Sequence, residues 1–178
     1  MSVSAGSLES GEQPYERCAL CHGLYGISSH PKFPHLAGQN AQYLENQILM
    51  FLDGTRTNDG GQMQTVVTEI AETDINAIVT WFSSQEPPQP SQLSDIPGAD
   101  LFTSSGCINC HLENKLTDDS IPLLHAQHKT YLEKQMLELR SGDRSGNSEP
   151  TAHGQLEQLN NSEISAIAAY LSARERTQ

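Results

Sequence analysis

The fold of this chain is decided by the stretch Cys18-Ala19-Leu20-Cys21-His22, which has a second copy, Cys107-Ile108-Asn109-Cys110-His111. C-x-x-C-H is the attachment signature of c-type haem. Two cysteines one helical turn apart can each bond a vinyl group through sulfur, and the next histidine can reach the iron. The two copies use all four cysteines of the protein. The sequence therefore predicts two covalently bound haem c groups, with His22 and His111 as iron ligands.

The chain repeats itself well beyond these motifs, at an offset of 88 or 89 residues. The corresponding segments are Tyr43–Gln47 with Tyr131–Gln135, Gly54–Arg56 with Gly142–Arg144, and Asp74–Ile78 with Glu163–Ile167. A shared order of segments indicates two homologous domains. Three prolines in Ser83–Ser91 are typical of a stiff, extended linker. We predict a first domain over residues 1–90, with the linker from about residue 83, and a second over residues 91–178.

Each half has the pattern of short helices. Residues 39–52 and 127–139 carry apolar residues at helical spacing, a series in which we include Gln47 and Gln135. Gly54 and Gly142 follow as helix stops. Shorter helical segments are expected over residues 13–21 and 99–110, and Thr73 and Ser162 are expected to cap helices that run to about residues 83 and 173. Neither half has an alternating strand pattern, so the predicted fold class is all-α.

The charge of the chain limits its partners. Twenty-two acidic residues against ten basic residues give a formal net charge of −12. Binding to nucleic acid depends on Lys and Arg that neutralise phosphates, so this balance argues against it. It favours a partner protein with a basic docking surface, although a merely well-solvated surface would have the same composition. Hydrophobic residues make up 36% and aromatic residues 6% of the chain, and buried cofactors would supply the missing apolar volume.

The location of the protein follows from the haem prediction. No apolar run approaches the roughly 18–20 residues that cross a bilayer, so no transmembrane segment is expected. Residues 1–11 are polar and lack the regions of a signal peptide. Because c-type haem is attached outside the cytoplasm, we expect a periplasmic protein whose export signal has been removed. The alternative is a cytosolic protein whose motifs bind no haem.

Two other uses of the cysteine pairs are less consistent with the sequence. One zinc ion could bind four cysteines, but 85 residues separate the two pairs, which fall in separate domains. A thioredoxin-like dithiol would need a βαβ context, which is absent.

A second iron ligand is needed if each iron is six-coordinate, and this ligand is usually Met or His. In the first half, Met50 lies inside a predicted helix, where a methionine usually packs in the core. Met63 follows Gly60-Gly61-Gln62 in a loop that can aim its thioether at the iron. We predict Met63 as the distal ligand of the first haem.

The second half departs from this arrangement. The position that matches Met63 falls at Thr151 or Ala152, and Met136 matches Ile48 in a helix core. His153 lies in the same loop, so we predict it as the distal ligand of the second haem. In the alternatives, His153 is a surface histidine, and the iron is open or bound by His125 or His128. Since Met ligation raises the potential relative to His, the first haem is expected to have the higher potential.

Other repeated residues are candidates for contacts around the haems. Pro34 and Pro122 could present a carbonyl to the proximal imidazole, although they could be simple turn residues, and Pro31 competes for the role in the first half. Arg56 and Arg144 could pair with haem propionates near the domain interface, or be solvated loop residues. Trp81 and Tyr170 are expected to fill the cores.

Several motifs together resemble those of the dihaem cytochrome c4 family of class I c-type cytochromes. They are Cys18–Gly23, Phe33–Gln39, Tyr43–Gln47, Gly54–Asp59 and Asp74–Ile78. The resemblance implies two tandem cytochrome c-like domains packed about a pseudo-twofold axis. It also implies a bacterial periplasmic protein that carries single electrons to terminal oxidases or related acceptors. The family normally has His/Met ligation at both haems, so the missing second methionine departs from its pattern.

Three functions remain open at this point. The leading prediction is a non-enzymatic electron carrier between redox proteins such as a terminal oxidase or a dehydrogenase. A second possibility is a haem-bearing subunit that accepts electrons from a dehydrogenase, because haem subunits of flavocytochrome sulfide dehydrogenases look similar. A third is a peroxidase-like dihaem enzyme with an open second iron. A cysteine-ligated haem of the thiosulfate dehydrogenase type is disfavoured, because no fifth cysteine exists.

Overall fold

The computed structural model describes residues 11–92, 97–111, 118–144 and 152–176, and within these ranges the chain is helical with no strand. The helices of the first domain are α1 (Glu16–His22), α2 (Ala41–Asp53), α3 (Gln62–Val67) and α4 (Ile75–Ser83), with a 3₁₀ turn at Glu72–Asp74. The helices of the second domain are α5 (Ala99–Ser104), α6 (Ile108–His111), α7 (Lys129–Ser141) and α8 (Asn161–Ser172), with a 3₁₀ turn at Gly154–Gln158. The all-α prediction is confirmed. Among the described residues, no helix has both the length and the apolar character needed to cross a bilayer.

The repeat is visible in α2 and α7, which are both 13 residues long. Each ends at a glycine in the left-handed conformation, Gly54 with φ 79° and Gly142 with φ 81°. This φ is strained for residues with a Cβ atom, which is why glycine stops the helix here. Both helices begin two residues later than the sequence pattern predicts, because Asn40 and His128 are N-caps with non-helical backbone.

The predicted helix caps are wrong. The N-cap of α8 is Asn160, whose side chain accepts from the backbone of Glu163, while the Glu163 side chain accepts from the backbone of Asn160. Ser162 is already inside the helix. Thr73 lies in the 3₁₀ turn before α4. The segment predicted over residues 99–110 is divided into α5 and α6 near Gly106, which has a φ of 77°.

Each domain has its own core, built where its long helix, α2 or α7, packs against its last helix, α4 or α8. The first core is formed by Leu44, Ile75, Ile78, Val79 and Phe82. The second is formed by Phe102, Leu132, Leu156, Leu159, Ile164, Ile167, Ala168 and Leu171. Trp81 and Tyr170 pack against their respective cores, as predicted. Trp81 also stacks on Tyr15, just before α1, with ring centroids 4.1 Å apart.

Candidate haem centres

A continuous cavity of about 500 Å³ reaches into both domains and brings the predicted attachment residues together. Its lining includes both Cys-x-x-Cys-His motifs, together with Met63 and His153. In the first domain, α1 places Cys18 and Cys21 one turn apart and ends at His22. In the second domain, Cys107 precedes the short helix α6, which contains Cys110 and ends at His111. The motifs of both halves therefore face one apolar space.

The chemistry of the thiols does not resemble that of a redox dithiol. Burial, assisted by the neighbouring Cys21, raises the pKa of Cys18 to about 11. A catalytic C-x-x-C pair needs a lowered thiol pKa, because the thiolate is the nucleophile. Within the described residues, which include all four cysteines, no group of three or more His, Cys, Asp or Glu side chains could hold a metal ion. The four cysteines are therefore not arranged as a zinc site.

The histidines of the two attachment motifs are held in the same way. His22 is 6% exposed, and its Nδ1 lies 2.9 Å from the Pro34 carbonyl oxygen. His111 Nδ1 lies 3.2 Å from the Pro122 carbonyl oxygen. A carbonyl can only accept, so each Nδ1 carries the proton and each Nε2 keeps its lone pair for a metal. Burial lowers the pKa of both imidazoles, which favours the neutral form that binds iron.

Of the two candidate methionines Met50 and Met63, it is Met63 that lines the cavity. It lies in the first turn of α3, and its backbone N–H donates to the Asp59 carboxylate, which also accepts from Gly61 N at 3.0 Å. Met50 is buried in α2 at 8% exposure, with its sulfur 3.8 Å from the Gln47 amide nitrogen, and it is not part of the cavity lining. The structure thus places Met63, rather than Met50, in the space that contains His22.

In the second half, His153 lies opposite His111. Their ring centroids are 6.3 Å apart and their planes differ by 29°. Met136 also lines the cavity, but it packs against the second core. Neither His125 nor His128 lines the cavity. The His128 ring contacts the His35 ring of the first domain, and its Nε2 lies 3.1 Å from the Ser28 carbonyl oxygen. Thr151 lies outside the described residues.

Arg56 and Arg144 meet at the domain interface. Arg56 is 5% exposed and donates to Gln47 Oε1 at 2.5 Å and to Gln135 Oε1 at 2.8 Å. Arg144 donates to the same two oxygens, at 3.3 Å and 2.8 Å. These hydrogen bonds cross between the domains, and the solvated alternative does not hold for the buried Arg56. The positive charge at this site lowers the pKa of Tyr43. Burial acts to raise this pKa, but the opposite effect of Arg144 and Arg56 together is larger.

This arginine cluster provides a test of whether haem fits the cavity. Among the described residues, the ion pairs are Arg17–Glu69, Lys129–Glu133 and Lys134–Glu138, and none includes Arg56 or Arg144. Buried charges without a counter-charge are costly. Both guanidinium groups line the cavity, and the charge of Glu138 acts on Arg144. Haem propionates would add negative charge beside the buried Arg56, so the donor set and this buried cation both fit haem c.

Several interface residues are missed by sequence reasoning. Gln47 and Gln135 are counted as part of an apolar face, but they are buried acceptors for the two arginines. Gln39 and Gln127 are also buried, at 5% exposure each, and they bond across the interface. A signal exists in the sequence, because each glutamine recurs at the same place in both halves. A polar residue repeated within an apolar series indicates a shared polar contact.

The comparisons with known proteins agree with this arrangement. Residues 8–86 and 96–175 each match the family described as Cytochrome c. A cytochrome c4 of Pseudomonas aeruginosa is 30% identical, over 96% of this chain and 90% of its own length. The chain belongs to the cytochrome c4 family. The resemblance seen in the motifs is thereby confirmed, and the two cytochrome c domains imply covalently bound haem c.

Other members and relatives extend the cytochrome c4 assignment. A cytochrome c4 structure from Acidithiobacillus ferrooxidans aligns with a TM-score of 0.75 at 26% identity, covering 89% of this chain and 99% of that one. A protein of Thiomonas intermedia named thiosulfate dehydrogenase electron acceptor is 27% identical, over 88% of this chain and 78% of its own length. As a cytochrome c4-type protein, the chain is a dihaem electron carrier.

Proposed function

We propose that this protein is a periplasmic carrier of single electrons in which the two irons have different ligands. His22 and Met63 would hold the first iron, and His111 and His153 the second. When bound, haem c supplies a one-electron iron couple. The observation that carries the proposal is that Met63 in the first domain and His153, opposite His111, in the second both line the cavity.

The His111–His153 distance supports His/His ligation in the second domain. Two imidazoles that bind one metal ion from opposite sides, each at about 2 Å, have ring centroids roughly 6 Å apart. The observed separation is 6.3 Å. His153 directly precedes the 3₁₀ turn that begins at Gly154, and it lines the cavity. We therefore propose the lower reduction potential for the second haem, since a thioether favours reduced iron more than an imidazole does.

The surface near the first attachment motif supports docking of a redox partner. Leu20, which lies between the two cysteines, is 93% exposed, and Leu24, Tyr25 and Ile27 are exposed beside it in sequence. At the corresponding place in the second motif stands the polar Asn109. With a net charge of −12, the chain fits a partner with a basic surface around an apolar contact, such as a terminal oxidase or a dehydrogenase.

A second candidate function is an electron-accepting subunit of a dehydrogenase. The name of the Thiomonas intermedia relative, thiosulfate dehydrogenase electron acceptor, supports it. Co-purification with a catalytic subunit would favour this function over a freely diffusing carrier. A peroxidase-like enzyme needs an open iron and acid–base groups around it, and the position of His153 opposite His111 is the observation against that reading.

Optical and EPR spectra of the oxidised, haem-loaded protein test the proposal. We expect two low-spin signals, one of the His/Met type and one of the His/His type, and a methionine–iron charge-transfer band with the intensity of one haem. A band with the intensity of two haems would contradict His153 ligation. A high-spin haem that binds CO or peroxide would contradict the carrier and favour the enzyme.

A further inference from the structure

Two buried glutamines form reciprocal contacts across the domain interface. The Gln127 Oε1 atom accepts from His35 N at 2.8 Å, and its Nε2 donates to His35 O at 2.9 Å. The Gln39 Oε1 atom accepts from Leu123 N at 2.8 Å, and its Nε2 donates to Leu123 O at 2.8 Å. Each glutamine therefore bonds, through both the oxygen and the nitrogen of its side-chain amide, to the backbone of one residue in the other domain.

The orientation of each side-chain amide is fixed within its own domain. Gln39 Oε1 also accepts from Asn40 N at 3.0 Å, and Gln127 Oε1 accepts from His128 N at 2.9 Å. Backbone N–H groups can only donate, so in both glutamines the atom that receives two of them is the oxygen. Each amide is locked at the start of a long helix, α2 or α7, before it reaches across the interface.

The two residues held in this way are His35 and Leu123. They directly follow Pro34 and Pro122, whose carbonyl groups orient the proximal histidines. The peptide group between Pro34 and His35 contains the carbonyl that accepts from His22 and the N–H that donates to Gln127. The peptide group between Pro122 and Leu123 contains the carbonyl that accepts from His111 and the N–H that donates to Gln39. Because a peptide group is planar and stiff, fixing its N–H also fixes the direction of its carbonyl.

We propose that Gln127 is a positioning residue for the first haem and Gln39 a positioning residue for the second, so that each domain sets the proximal ligand of the other. The inference rests on the proposed role of His22 and His111 as iron ligands. A bond to the peptide N–H polarises the carbonyl and strengthens it as an acceptor. A stronger acceptor makes the proximal imidazole more basic, which favours oxidised iron. Removal of one glutamine therefore raises the reduction potential of the haem in the opposite domain.

The test uses the haem-loaded full chain with Gln127→Leu and Gln39→Leu. Leucine retains most of the side-chain volume and removes the amide. The readouts are the potential of each haem from a spectroscopic redox titration and the hyperfine-shifted proton NMR signals of each axial histidine. Gln127→Leu is expected to raise the potential and move the histidine signals of the first haem alone. Gln39→Leu is expected to do the same for the second haem alone.

A purely structural role for the glutamines would not make each variant affect the haem of the opposite domain alone. If either variant changes both haems equally, changes the haem of its own domain, or changes neither, the proposal is overturned. Gln42→Leu is the matched control, because this exposed α2 glutamine donates to Glu45 and Asn46 of its own helix, and should move neither haem. If a leucine variant does not fold, Gln127→Asn and Gln39→Asn replace it. Their shorter amides cannot reach both backbone groups, and the same crossed pattern is expected.

The wild-type spectra separate this proposal from the proposed function. If the wild-type protein lacks two low-spin haems with axial histidines, the ligand assignment fails, and the crossed inference is overturned with it. If the wild-type spectra are as expected and only the crossed pattern is missing, the inference alone fails.

Discussion

The imidazole rings of His35 and His128 lie against each other across the domain interface, with their centroids 3.9 Å apart and their planes tilted by 32°. Both rings bond to the same backbone residue, because His35 Nδ1 accepts from Ser28 N at 3.0 Å and His128 Nε2 donates to Ser28 O at 3.1 Å. A proton on His35 Nδ1 would displace the Ser28 N–H and place a cation beside a second histidine. The contact between the two rings therefore requires a neutral His35.

This contact makes the stability of the protein depend on pH. Burial, followed by the electrostatic effects of His128, Arg176 and His22, lowers the pKa of His35 from 6.5 to about 3. Between these values the unfolded chain binds a proton that the folded chain does not, so stability is present above the unfolded pKa and lost as the pH falls below it. We expect a lower urea midpoint at pH 5 than at pH 7. His35→Leu, which copies Leu123 of the other domain, should flatten this dependence.

His35→Leu is also expected to lower the stability of the folded protein at neutral pH. It leaves the buried Ser28 N–H without its acceptor, which costs about 1–3 kcal/mol. The exposed His30 is the control, and His30→Leu should keep both the midpoint and its pH dependence. An equally steep pH dependence in His35→Leu would show that other groups are responsible.

Replacing His153 tests the second iron site. In His153→Ala we expect the His/His EPR signal to be replaced by a high-spin signal, while the His/Met signal persists. His153→Met should raise the potential of the second haem towards that of the first, since a thioether favours reduced iron. His125→Ala is the control, because His125 lies outside the cavity lining. An unchanged second-haem spectrum in His153→Ala would remove this histidine from the ligand set.

Replacing Met63 tests the first iron site. Met63→Leu should abolish the methionine–iron charge-transfer band and lower the potential of the first haem, with little effect on the second. Met50→Leu should retain the band, and because the volume is nearly conserved it should cost less than about 1.5 kcal/mol of stability. Loss of the band in Met50→Leu instead would reverse the assignment of the two methionines.

The arginine cluster should affect both stability and potential in the haem-loaded protein. Arg56→Gln removes a buried cation that donates to Gln47, Gln135 and Asn58. Arg144 still donates to both glutamines, whereas Asn58 Oδ1 loses its bond from Arg56, so we expect a loss of about 1–3 kcal/mol. We also expect a lower reduction potential, because a nearby positive charge favours reduced iron. Chemical denaturation and redox titration measure the two effects.

The control for the charge itself is Lys129→Gln. Lys129 forms an exposed pair with Glu133 at 3.3 Å, and such pairs contribute about 0–1 kcal/mol. Lys129→Gln removes one positive charge, as Arg56→Gln does, but removes it from the surface. Equal effects of Lys129→Gln and Arg56→Gln would mean that net charge, not the buried position, matters.

The sequence alone predicts those features of the site that are local in the chain. The attachment motifs, the all-α class and the glycine stops each depend on residues within a few positions of one another, where spacing and backbone preference decide the outcome. The duplication also predicts that the loop of His153 corresponds to the loop of Met63, because two homologous halves have their loops at equivalent places. The helix caps show the limit even at short range: Asn160 takes the position expected for Ser162, because several adjacent polar residues can all cap a helix.

The contacts between the domains are decided only by the tertiary structure. Gln39 bonds to Leu123 and Gln127 to His35 because the two halves pack face to face, and Arg56 and Arg144 converge on the same pair of glutamines for the same reason. These partners lie about 80–100 residues apart in the chain, where no spacing rule applies, and glutamine and arginine are compatible with both a solvated helix face and a buried one. The sequence by itself predicts where two haems attach, because the motifs are local, and the packing of the two domains decides which residues surround and orient His22 and His111.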